Sequence, residues 1–142
     1  MSPRHFRPLL LAAALALPPA PIVAIAQEQA ALPTVSVTAA QVERGRAEYR
    51  RSCVDCHGAS LDDGEFGGAP LKGNSFREKW FDTTADALFG YLSTAMPPDR
   101  PGRLSAQAYA DLAAYILSVN GLQPGTAELP ADLDKLAELM VQ

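Results

Sequence analysis

The apolar positions of this chain change spacing several times, and each spacing predicts a different element. Near the start, residues 9–17 form an unbroken apolar run behind Arg4, His5 and Arg7, and Ala24-Ile25-Ala26 precedes Gln27. A positive start, a short apolar run and a small-x-small site are the pattern of an export signal, with cleavage expected after Ala26. A retained membrane anchor is the competing reading, because residues 9–26 carry no charge. Pro18, Pro19 and Pro21 interrupt that stretch, however, and a spanning helix wants about 20 apolar residues. No other segment is a candidate span, so no membrane span is expected after cleavage.

Beyond the signal, residues 27–38 show no period and read as a flexible lead-in. Residues 39–51 place Ala40, Val42, Ala47 and Tyr49 at helical spacing with Glu and Arg between them, which predicts a helix. Residues 58–73 hold five of the ten glycines and read as a loop. Four of the ten aromatics come next, Trp80, Phe81, Phe89 and Tyr91. Thr84 is placed to cap a helix over 85–95, which must end at Met96-Pro97-Pro98 because a residue before proline is pushed out of the α region. Ser105 is the next N-cap, with Leu104 and Tyr109 spaced as a hydrophobic staple, and the helix stops at Asn120-Gly121. Residues 122–142 read as a Pro/Gly linker and a short amphipathic helix over 131–141, with Leu133, Leu136, Ala137 and Met140 on one face. No strand and no internal repeat is predicted. The working domain is therefore 39–121, and its class is all-α.

The chemistry sits in five residues, Cys53-Val54-Asp55-Cys56-His57. A Cys-x-x-Cys pair can be a redox disulfide, half of a zinc site or a structural bridge. A redox disulfide of the thioredoxin kind wants a strand before the motif, whereas a helical pattern precedes it here. Zinc wants about four ligands, but the chain has two Cys and two His, and His5 falls in the signal. A plain bridge leaves His57 without a role. Cys-x-x-Cys-His is the pattern of covalent haem attachment. Two thiols one turn apart can add to the two vinyl groups of a porphyrin, and the adjoining imidazole can then coordinate the iron. One motif implies one haem.

Charge narrows the partners. The 142 residues carry a formal net charge of −4, and removing the signal with Arg4 and Arg7 takes it to −6. Such a balance argues against nucleic acid and against electrostatic binding to an anionic membrane. The 116 residues left after residue 26 are enough for one domain.

After cleavage only Met96 and Met140 could supply a thioether as a second iron ligand. A methionine on an apolar helix stripe is usually core filler, and Met140 reads so. Met96 is followed by two prolines that hold the backbone where a ligand must be aimed.

From about residue 39 to 121 the chain resembles a class I cytochrome c. It carries a first helix, Cys-x-x-Cys-His, a glycine loop, a methionine loop and a last helix with an aromatic, in that order. The resemblance implies three to five helices wrapped around one covalent haem c, with His57 and Met96 on its iron and thioethers at Cys53 and Cys56. It implies close helix crossing at Gly45, with Leu112 and Tyr115 as its partners on the last helix. Pro70 falls where the family places a proline whose carbonyl accepts the histidine's Nδ1–H, and Trp80 is either core or a donor to a haem propionate. Met96 comes only 39 positions after His57, and lysines are few (Lys72, Lys79, Lys135), so a lysine-rich docking rim is absent. Residues 90–125 are similar to short bacterial cytochromes that accompany periplasmic quinoprotein dehydrogenases.

These readings together imply a monomeric, periplasmic bacterial carrier of single electrons, not an enzyme. Its donor is expected to be a dehydrogenase and its acceptor an oxidase or another cytochrome. The alternative is an open-site haem enzyme of peroxidase type, or a gas sensor. Such a site wants His or Arg over the open iron face, and after cleavage His57 is the only histidine, leaving Arg77, Arg100 and Arg103. Asp62, Asp63 and Glu65 read as a solvated loop face.

Overall fold

Thr38 has extended backbone and its hydroxyl accepts the Gln41 N–H at 3.1 Å, which starts helix α1 (Ala39–Ser52). The residues α1 buries are Gln41, Val42, Gly45 and Tyr49, a stripe at helical spacing. The computed structural model describes residues 31–142, which form one compact unit. The expected signal segment and the first residues of the lead-in lie outside the described residues.

Helix α2 (Val54–His57) comes after α1 and Cys53, and α3 (Asn74–Trp80) comes after the glycine loop. Helices α4 (Ala85–Ala95) and α5 (Ala106–Val119) are next, and α6 (Leu133–Leu136) is a single turn. The described residues are helical, with isolated backbone bridges and no strand. The all-α expectation holds, although the sequence pattern does not predict α3, because its seven residues carry only Phe76 and Trp80 as an apolar pair.

Ser105 caps α5 as expected, accepting the Ala108 N–H at 3.2 Å, and Gly121 closes it at φ 109°. Residues 109–117 of α5 are all buried. A helix buried all round must be covered on every side, and α1 and α4 both pack against it. α1 meets it backbone to backbone: a Cβ added at Gly45 would lie 1.8 Å from the Asp111 carbonyl oxygen and 2.8 Å from Tyr115 Cβ. Tyr115 is the expected partner at Gly45, whereas Asp111 stands in place of the expected Leu112, one position earlier. Gly45→Ala is expected to force the helices apart and lower stability by about 1–3 kcal/mol, the cost of overpacking. Chemical denaturation monitored by helix content checks this.

Two further segments differ from the sequence reading. The lead-in is docked where described: Val35 and Val37 are buried, and the Val35 N–H donates to the Met140 carbonyl at 2.8 Å. The expected helix over 131–141 shrinks to α6, and Met140 lies beyond it in backbone bridges to Thr34 and Thr84. Extended pairing wins because Met140 gains neighbours on both edges, which a one-turn helix cannot offer. Gln41 ties this tail to α1. Its side chain is fully buried, donates to the Leu129 carbonyl at 2.9 Å and accepts the Leu129 N–H at 2.8 Å.

Candidate haem pocket

Helix α1 breaks at Cys53, whose backbone (φ −131°, ψ −26°) turns the chain while its N–H still donates to the Tyr49 carbonyl. The His57 N–H then donates to the Cys53 carbonyl at 2.9 Å, so both thiols and the imidazole belong to one turn. Gly58 ends that turn at φ 77°, a conformation that favours glycine. The buried Tyr49 hydroxyl donates to the Gly58 carbonyl at 2.7 Å and pins the turn to α1.

His57 is 8% exposed, with its Nδ1 at 2.7 Å from the Ala69 carbonyl oxygen. A carbonyl only accepts, so Nδ1 carries the proton and the lone pair is on Nε2, the tautomer that can bind a metal. This corrects the expectation for Pro70: the acceptor is Ala69, one residue earlier, and Pro70 lines the cavity beside it. The Gly68 N–H donates to the Cys56 carbonyl at 2.8 Å. A Cβ on Gly68 would lie 2.9 Å from His57 Nδ1, so this approach needs glycine. Sequence reasoning misses Ala69 and Gly68, because only the folded loop shows which carbonyl or glycine meets the ring; the Gly67-Gly68 pair is the one local signal for them.

Cys53 and Cys56 are both free thiols. Burial, with the Glu48 carboxylate adding to it, pushes the Cys53 thiol up to about 12. Helix α1 precedes the pair where a thioredoxin-like motif wants a strand, so that alternative finds no support. Among the described residues no group of three Cys, His, Asp or Glu is placed to hold a metal ion.

Cys53, Cys56 and His57 open onto a cavity of about 490 Å³, within the roughly 300–1,000 Å³ of ligand sites. Its walls are mostly apolar, with Phe76 from α3, Leu88 and Leu92 from α4, and Leu112 and Ile116 from α5. Met96, Pro97 and Pro98 line the same cavity, and the Met96 carbonyl accepts the Tyr109 hydroxyl at 2.8 Å. Trp80 is on the wall too, its ring 5.4 Å from that of Tyr91. Phe66 stands at the rim, 73% exposed. Met140 does not line the cavity; its N–H and carbonyl are engaged by residues 33 and 35. Asp62 pairs with Lys72 at 3.2 Å on the loop surface, as a solvated face should.

The donor set fits a haem: two free thiols in one turn, an imidazole with a free Nε2, and an apolar cavity large enough for a cofactor. No helix of the described residues is long and apolar enough to cross a membrane.

No curated protein and no solved structure matches the chain significantly. The family described as cytochrome c oxidase, cbb3-type, subunit III matches residues 40–116, more than half of the chain and the stretch that builds most of this pocket. The chain belongs to that family, as a class I-like monohaem c-type cytochrome domain with covalent haem c and its iron, suited to electron transfer.

Proposed function

We propose that this protein is an exported carrier that moves single electrons in a bacterial periplasm. Its donor is a dehydrogenase, of the quinoprotein kind, and its acceptor is a terminal oxidase or another cytochrome. One observation carries the reading: Cys53, Cys56, His57 and Met96 line a single apolar cavity. When bound, the haem supplies an iron centre that takes up and releases one electron.

The residues of the chain do the rest. Cys53 and Cys56 would hold the porphyrin through thioethers, and His57 Nε2 and the Met96 thioether would be the two side-chain ligands to its iron. A thioether raises the reduction potential relative to a second imidazole. The Ala69 carbonyl orients His57 and strengthens its donation. The Tyr109 hydroxyl holds the backbone of Met96. Trp80, on the cavity wall, would offer its indole N–H to a haem propionate. The apolar walls exclude water, and the fixed backbones at residues 57 and 96 would hold both side-chain ligands in place as one electron comes and goes.

Docking runs through an apolar patch near residues 67–71 and 96–98, with Phe66 exposed beside it. A mature charge of −6 without a lysine rim does not favour a strongly steered encounter. Small interfaces of this sort release quickly. Stopped-flow reduction by a quinoprotein dehydrogenase of the same organism tests the reading. The rate is expected to change by less than about tenfold between low and high salt, whereas steered association falls steeply. Failure of every periplasmic dehydrogenase to reduce the protein, together with peroxide turnover, would transfer the function to the open-site class.

A further inference from the structure

We propose that residues 122–142, which lie beyond the family-matched stretch, are a positioning clasp for the α4 wall of the pocket and so for Met96 as an iron ligand. The inference rests on the His57/Met96 reading and adds to it what keeps the thioether in place.

A helix begins with backbone N–H groups that lack intrahelical partners. Thr84 occupies the N-cap position of α4, yet its side chain makes no capping bond. The tail supplies the partner instead: the Ala85 N–H donates to the Leu139 carbonyl at 2.8 Å. Around that bond the Asp82 N–H donates to the Val141 carbonyl at 2.8 Å, and the Val141 N–H donates to the Thr83 carbonyl at 2.9 Å. The other edge of the tail is held as well, because Met140 N–H donates to the Pro33 carbonyl at 2.8 Å and Val35 N–H to the Met140 carbonyl. Upstream, fully buried Leu136 belongs to α6, which packs on α4, and Leu133 reaches towards Gly90. The far end of the tail is anchored on α1 by the Leu129–Gln41 pair and on the lead-in by the Gly125 N–H to the Val37 carbonyl at 2.7 Å.

α4 is thereby fastened at both ends. Its first N–H is held by the tail, and the Met96 carbonyl just past its last turn is held by the Tyr109 hydroxyl of α5. Between these points α4 contributes Leu88, Tyr91 and Leu92 to the cavity. A neutral thioether is a weak acceptor, so its residence on iron depends on how firmly the backbone presents it. Loosening the clasp lets α4 move and frees the sixth position while the thioether-linked haem and the other helices stay.

Two substitutions in the haem-loaded full chain test this. Ala85→Pro deletes the N–H that meets Leu139 but suits the first position of a helix, and Thr84 already has the extended backbone that precedes proline (φ −78°, ψ 149°). Leu136→Ala loosens α6 from α4 without touching the pocket. Both are expected to keep covalent haem and to lose the thioether absorption band at a lower temperature than their helix content. Carbon monoxide should bind the reduced iron about two- to tenfold faster, the factor that one net hydrogen bond sets. Gly45→Ala is the control for general destabilisation, in which band and helix signal should fall together. If band and helix content fall together in Ala85→Pro and Leu136→Ala too, or if neither moves, the clasp has no positioning role. A wild-type protein without a thioether band, or a Met96→Ala variant that keeps one, overturns the ligand reading itself and is recognised before the clasp variants are made.

Discussion

Met96→Ala is expected to abolish the thioether band of the ferric protein, lower the reduction potential and let carbon monoxide bind the reduced iron, while Met140→Ala changes none of these. The expectation comes from where the two backbones are held. Met96 ends α4, its carbonyl is fastened by Tyr109, and it lines the cavity onto which His57 opens. Met140 is paired through its backbone with residues 33 and 35 and does not line that cavity. Alanine at 96 removes the sulfur but leaves a small side chain, so water or an external ligand can approach the iron. Axial ligands span about 0.8 V of haem potential, which makes the potential the measurement with the largest range. Titration against redox mediators, together with a carbon monoxide difference spectrum, checks the pair. Reversal of the two variants would assign the ligand to the tail and undo the proposed ligation.

The second large effect concerns attachment. Cys53→Ala and Cys56→Ala are each expected to weaken or abolish haem attachment, leaving at most one thioether, whereas the unaltered protein keeps its haem through two after denaturation. Ser at either position should do no better, because a hydroxyl does not form the thioether. The apo-chain should be poorly folded. Leu88, Leu92, Leu112 and Ile116 are pocket-lining core residues, so without the porphyrin they face a water-accessible cavity in place of a packed ring. A domain this small has little stability to spare, and a ligand that binds only the folded state stabilises it by mass action. Intact mass of denatured protein and far-UV circular dichroism of the apo-chain are the measurements. A well-folded haem-free protein with a Cys53–Cys56 disulfide would contradict both the attachment and the role of the haem as core.

Helices α1, α4 and α5 are legible in the sequence because each carries its own local instructions. Thr38 and Ser105 begin two of them with side-chain caps, and Met96-Pro97 and Asn120-Gly121 stop α4 and α5. The Cys-x-x-Cys-His turn is legible for the same reason, since its chemistry and its geometry lie within one turn of helix. Other features depend on segments far apart in the chain and emerge only on folding. Thr84 looks like a cap, yet the N–H at the start of α4 is satisfied by Leu139. Gln41 carries no local signal of burial, yet its amide is buried against Leu129. Met140 looks helical, yet its backbone pairs with residues 33 and 35. The carbonyl that orients His57 belongs to Ala69, although a motif reading places it at Pro70. In each case a backbone donor or acceptor needed a partner, and short-range pattern says that the need exists but not which distant residue meets it. Periodicity, caps and motif spacing are local quantities and can be read along the chain, whereas the satisfaction of buried polar groups and the closure of a cavity are settled only when the segments meet.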